Sequence, residues 1–199
     1  MENFRSEPLP DPQGQPADTG RGRIPRFILD ILETLILSLV LFLGINAISA
    51  RIRVESISMQ PTLYAGNFVI VNKLAYKIGQ PGRGDVIIFH YPPDPNREPY
   101  IKRVIGLPGE NVRVANGKVF INNTPLNEPY ISAPPSYNGE WRVPENGLFV
   151  LGDNRNSSSD SHSWGIVPLP NVIGKAEVVY WPPSDWQMLN EATAAAAGP

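Results

Sequence analysis

Two serines, Ser56 and Ser58, stand two positions apart in "VESISMQPTL", residues 54–63. A serine hydroxyl is a weak nucleophile until a neighbouring base removes its proton. The chain offers two kinds of base. Histidine is the usual one, and only His90 and His162 are present. His90 falls inside an apolar run with the pattern of a strand. His162 stands two residues after Asp160 in "GDNRNSSSDSHSWG", residues 152–165. A Ser–His–Asp hydrolase using His162 is therefore open, although the chain has no Gly-x-Ser-x-Gly elbow of the α/β-hydrolase kind. Lysine is the other base. At a pKa near 10.4 only about one ordinary lysine in a few thousand is neutral at pH 7. Bringing it down to near 8 means destabilising the ammonium by roughly 3 kcal/mol, which burial among apolar groups can do. Lys102 has such neighbours in "YIKRVIG", residues 100–106, and on a strand it shares a face with Tyr100 and Val104. The same residue also reads as an edge-strand lysine that discourages aggregation. The Asp-, Asn- and Ser-rich stretch 152–165 reads either as a turn-rich surface loop or as a loop that steadies a base.

Composition removes several other chemistries. The absence of cysteine excludes thiol catalysis, disulfides and Cys-ligated zinc. Two histidines cannot build a multi-histidine metal site. With a net charge of −2 and no basic stripe, nucleic acid is not an expected partner. The 22 prolines and 17 glycines favour a turn-rich β protein over a helix bundle, and 199 residues suffice for one domain with appendages.

The elements that must position these residues follow a simple order. Residues 1–25 carry five prolines among polar residues and read as a disordered, cytoplasmic N-terminus. Residues 26–50 read as a transmembrane anchor. Within them "ILETLILSLVLFLGINAISA" has no polar face, and its 20 residues would span about 30 Å as a helix, the thickness of a bilayer core. Glu33 is its one charge and lies near an end. A buried core helix and a signal peptide cleaved at Ala47-Ile48-Ser49 are the alternatives; the long leader favours an uncleaved anchor. Arg21, Arg23 and Arg26 before the span outnumber Arg51 and Arg53 after it, which places the N-terminus in the cytoplasm. Residues 51–185 form the expected catalytic domain, with short β-branched and aromatic runs bounded by Gly or Pro. In "NVRVANGKVFIN", Val112/Val114 and Val119/Ile121 alternate around Asn116-Gly117, the pair a type I′ hairpin requires. Residues 186–199 read as a flexible tail. The fold class is mainly β, an antiparallel sheet or barrel-like domain on one N-terminal membrane helix.

Four blocks in order, "SISMQPTL", "GRGDVIIFHYP", "YIKRVIGLPGE" and "GDNRNSSSDSHSWGIVP", resemble those of bacterial-type type I signal peptidases over roughly residues 30–180. The resemblance implies a membrane-anchored serine endopeptidase with a Ser/Lys dyad. It would remove N-terminal signal peptides from exported preproteins after small residues, through an acyl-enzyme and without metal or cofactor. It assigns Ser58 as nucleophile and Lys102 as general base. Ser56 and the Ser58 N–H become the oxyanion hole, Ser158 the residue that orients the lysine, and Arg103, Asp153, Arg155 and Asp160 structural support. The substrate is implied to lie as an extended strand beside "PYIK" and "IRVES", with Val54, Met59, Leu63, Tyr100 and Ile101 lining its pockets. Many relatives have Pro-Ser-Gly-Ser at 55–58 and Arg at 162, where this chain has Glu-Ser-Ile-Ser and His. With that resemblance His162 becomes a loop residue paired with Asp160. The implied partners are preprotein signal peptides and the lipid bilayer, and the implied location a plasma or thylakoid-type membrane with the catalytic domain outside the cytoplasm; the oligomeric state is left open, with a monomer as the default. A non-catalytic β module that binds exported chains by strand addition is the rival reading. A self-cleaving repressor with the same dyad is another, and would need a DNA-binding domain in place of the apolar span.

Overall fold

The structure, a computed structural model, describes residues 25–189; the expected disordered N-terminus and all but the start of the expected tail lie outside them. Helix α1, Arg26–Ile48, has 23 residues and a mean hydropathy of 2.4 over its most apolar window. At 1.5 Å per residue it is about 34 Å long, enough to cross a bilayer core. None of its residues is buried. It stops two residues short of the expected span because Ser49 and Ala50 already pair into β1.

The chain then builds two antiparallel sheets. In chain order the elements are β1 Ser49–Arg53, β2 Phe68–Asn72, α2 Ala75–Ile78, β3 Val86–Phe89, β4 Tyr100–Gly106, β5 Asn111–Ala115, β6 Lys118–Ile121, β7 Thr124–Pro125, β8 Gly139–Arg142, β9 Gly147–Leu151, α3 Ser161–Trp164, β10 Val167–Pro168, β11 Val172–Trp181 and β12 Gln187–Met188. The large sheet runs β1-β2-β11-β3-β4-β9-β10, with β12 also on β11. The small one runs β7-β6-β5-β8. This is the expected mainly β architecture.

Sequence pattern explains the layering. Strands β3 ("VIIF") and β9 ("GLFVL") are buried at every position, as continuous apolar runs must be. Strand β5 alternates buried and half-buried residues and covers the core with one face only. The Asn116-Gly117 hairpin forms as expected. Val114 pairs with Val119 and Ala115 with Lys118, and both turn residues have positive φ, 51° and 72°. The sheet continues past the expected boundary at 185. Met188 pairs with Val178, and Leu189 enters the core beside Val54, Met59 and Leu63.

One topological detail prepares the site. Strand β4 pairs with β3 from Tyr100 to Arg103, but its pairing with β9 begins only at Arg103. Tyr100, Ile101 and Lys102 therefore keep a free edge.

Candidate active site

The free edge of β4 faces the loop that follows β1. Lys102 Nζ lies 2.6 Å from Ser58 Oγ and donates to the Ile101 carbonyl at 2.9 Å. Ser56 Oγ is 3.1 Å from the same Ser58 oxygen. Lys102 and Ser58 are buried, at 4% and 5% exposure. Burial pushes the Lys102 amine down from its ordinary 10.5 to about 8, against the opposing pull of Asp160 and Asp153. Neither carboxylate is within hydrogen-bond distance of it. The setting thus brings the neutral amine within reach near pH 8, and its lone pair can accept the Ser58 proton while one of its N–H groups stays on Ile101 O. The Ser58 N–H meets no acceptor among the described residues.

A buried Arg–Asp pair holds this geometry together. Arg103, next to Lys102 in β4, donates through Nε and Nη2 to the two oxygens of Asp153 at 2.8 and 2.7 Å. Its Nη1 reaches the Gly84 carbonyl at 2.9 Å. Thr62, four residues after Ser58, donates its hydroxyl to Asp153. One carboxylate thus joins the serine loop, the lysine strand and the "GDNR" loop. Asn154 adds a second tie, its N–H to the Ser58 carbonyl at 3.0 Å and its side chain to the Ile57 carbonyl at 3.1 Å. Gly152 allows the approach. A Cβ there would collide with Ser158 Oγ and with the Ser58 carbonyl oxygen.

The other expected support residues form a second layer. Arg155 pairs with both oxygens of Glu128 and donates to the Gly152 carbonyl. The Tyr130 ring lies between the two guanidiniums, 4.1 Å from that of Arg103 and 5.9 Å from that of Arg155. Asp160 accepts from the Gly152 N–H at 2.9 Å and from the His162 N–H, and its Oδ1 lies 2.6 Å from His162 Nδ1. The His162 ring stacks on Tyr137, centroids 4.0 Å apart. The partners of Ser58 Oγ are Lys102 and Ser56, not His162. His90 is exposed at the end of β3, its N–H on the Asn171 carbonyl.

Two expectations are corrected. Ser158 was to bond Lys102, but its Oγ is buried without a hydrogen-bond partner among the described residues, packed over Gly152. Met59 and Leu63 were to line the substrate pockets. Both are fully buried core residues, because the chain turns after Ser58 and carries them inward, with Leu63 N–H on the Met59 carbonyl. Val54, Tyr100 and Ile101 do line the cleft, which measures about 700 Å³ and is bounded by residues 51–58 on one side and 98–102 on the other.

Sequence reasoning missed Thr62, Glu128, Tyr130, Tyr137 and Asn154. A buried arginine is costly without a compensating acid, but the burial of Arg155 is itself visible only in the structure. Nothing local singled out Glu128 among 19 acidic residues. The stacking and backbone contacts of the others leave no periodic signal.

The chain is similar to known proteins over most of its length. The family profile described as signal peptidase, peptidase S26, matches residues 28–181. A signal peptidase I from Leptolyngbya laminosa is 45% identical over 192 residues, 92% of this chain and 94% of its own. A probable signal peptidase I-2 from Synechocystis sp. is 42% identical over 161 residues, 77% of this chain and 73% of its own. A probable thylakoidal processing peptidase 2 from Arabidopsis thaliana is 40% identical over 146 residues, 70% of this chain and 40% of its own.

Proposed function

This chain belongs to the signal peptidase family, peptidase S26, and on that footing we propose that it removes signal peptides from exported preproteins with Ser58 as nucleophile and Lys102 as general base. The observation that carries the reading is the 2.6 Å separation of Lys102 Nζ and Ser58 Oγ in a buried setting.

The neutral amine takes the Ser58 proton as Oγ attacks the carbonyl carbon of the −1 residue. The oxyanion is met by the Ser58 N–H and, after a small rotation, by the Ser56 hydroxyl. Each such donor is worth about 3–4 kcal/mol in other acyl-transfer enzymes. Collapse breaks the C–N bond, and the Lys102 ammonium returns its proton to the leaving amine. In the acyl-enzyme the neutral amine removes a proton from water, the hydroxide attacks the ester, and Ser58 leaves as the alcohol with the proton returned.

Backbone bonding supports an extended substrate. Val54 exchanges bonds with Asn67 and Gly66, so by strand alternation Arg53 and Glu55 turn their backbone groups to the cleft. Ile101 does the same from the free edge of β4. A chain laid between these two edges gains main-chain bonds on both sides. Its −1 and −3 side chains then point inward at Val54 and Ile101, which in this reading line the pockets that take small residues. Helix α1 anchors the enzyme in this reading. Its N-terminus is cytoplasmic and the β domain lies across a plasma or thylakoid-type membrane, where signal peptides present their cleavage sites.

Cleavage of a model preprotein by the wild type, Ser58→Ala and Lys102→Arg tests the proposal, with mass spectrometry of the products. Both variants should be inactive but folded, since arginine keeps the charge and cannot act as a base near neutral pH. Turnover by Lys102→Arg near that of the wild type would end it.

A further inference from the structure

We infer that Glu55 imposes a charge preference on the −2 residue of the substrate, favouring a basic side chain over an acidic one. The inference rests on the reading above and adds a determinant to the same cleft.

Three observations lead to it. First, side chains alternate along residues 51–55. Val54 is buried and Ile52 packs against the same core, whereas Arg51, Arg53 and Glu55 are exposed on the opposite face. Secondly, Ser56 and Ser58 mark where the −1 carbonyl must lie, their hydroxyls 3.1 Å apart. The cleft runs from Ser58 back along residues 57–51, so a chain whose −1 carbonyl sits at Ser58 and whose earlier residues fill the cleft runs in the same direction as residues 51–56. Counting back one residue at a time from Ser56 sets −2 beside Glu55, −3 beside Val54 and −4 beside Arg53. The period of two then turns −2 outward, onto the face that carries the Glu55 carboxylate. Thirdly, Glu55 lines the cleft and makes no hydrogen bond or ion pair among the described residues. Arg53, two residues back on the same face, does not pair with it. Its charge is therefore available to the substrate.

The contact is exposed, so the discrimination is modest and salt-sensitive. The test uses the full-length chain in detergent and one preprotein carrying Lys, Gln or Glu at −2, with kcat/KM measured for each. The wild type should cleave in the order Lys, Gln, Glu, with about tenfold between the extremes at low salt, the size of two exposed charge contacts of opposite sign. The ratio should shrink toward one in about 1 M NaCl. Glu55→Gln should bring it near one at low salt, and Glu55→Lys should invert it. A Lys/Glu ratio that Glu55→Lys leaves as in the wild type overturns the inference. Ser58→Ala separates the two ideas. If it cleaves like the wild type, the dyad itself falls; if it is inactive and the ratio ignores residue 55, only the −2 preference falls.

Discussion

Lys102 and Arg103, neighbours in β4, carry their cations into opposite surroundings. The Arg103 guanidinium is closed on both oxygens of Asp153, at 2.8 and 2.7 Å, while the Lys102 amine ends on Ser58 Oγ with no carboxylate bonded to it. Alternation along a strand is what separates them. One cation is compensated and structural; the other is desolvated and available for proton transfer.

The pH dependence follows from that difference. Proton abstraction needs the neutral amine, so kcat/KM should rise through a single ionisation near pH 8 and level off above it. The same shift affects stability. Because the folded-state value lies below the unfolded one, the native state carries a penalty of about 3 kcal/mol below pH 8, relieved as pH rises from 8 to 10.5. Lys102→Met should therefore be inactive yet more stable than the wild type at pH 7, with the gain fading toward pH 10.5. A Tm unchanged or lowered at pH 7 would contradict the desolvated amine.

Asp153→Ala should be severely destabilising. It leaves the Arg103 guanidinium buried without its counter-ion and releases Thr62 from the serine loop. The cost expected for breaking such a buried pair is about 3–5 kcal/mol. The double variant Arg103→Met/Asp153→Leu should be far less damaged than the sum of the single ones, as denaturation by urea would register.

Gly152→Ala tests how closely the two loops approach. The added methyl would strike Ser158 Oγ and the Ser58 carbonyl oxygen, so the Ser58 loop must shift. Displacement of reacting groups by about 1 Å can lower turnover roughly a hundredfold. We expect a loss of that order in kcat from a protein whose circular dichroism still shows the β fold.

His162→Gln addresses the Asp160 loop. It removes the stack on Tyr137 and the side-chain contact with Asp160, but leaves the Gly152 N–H bond in place. Stability should fall by about 1–2 kcal/mol, and activity should stay within about tenfold of the wild type. Activity lost as fully as in Ser58→Ala, in a folded protein, would instead implicate the imidazole in catalysis.

The mainly β class, the apolar helix, the Asn116-Gly117 hairpin and the candidate serine and lysine were all legible in the amino-acid order. Each depends on neighbours within a few residues: length of an apolar run, period-two alternation, turn chemistry. What the order of residues left undecided was contact between distant segments. Spacing alone allowed Lys102 to be either a base or an edge lysine. The choice depends on the chain between them, a separation of 44 positions from Ser58, folding so that a free half-strand faces the serine loop. For the same reason Met59 and Leu63, apolar and near Ser58 in sequence, belong to the core and not to the cleft. The pairing of Arg155 with Glu128 and the passage of Gly152 beneath Ser158 are likewise tertiary facts. Local sequence encodes local conformation, but desolvation and long-range hydrogen bonding, which set the reactivity of an amine, exist only once the chain has closed around it.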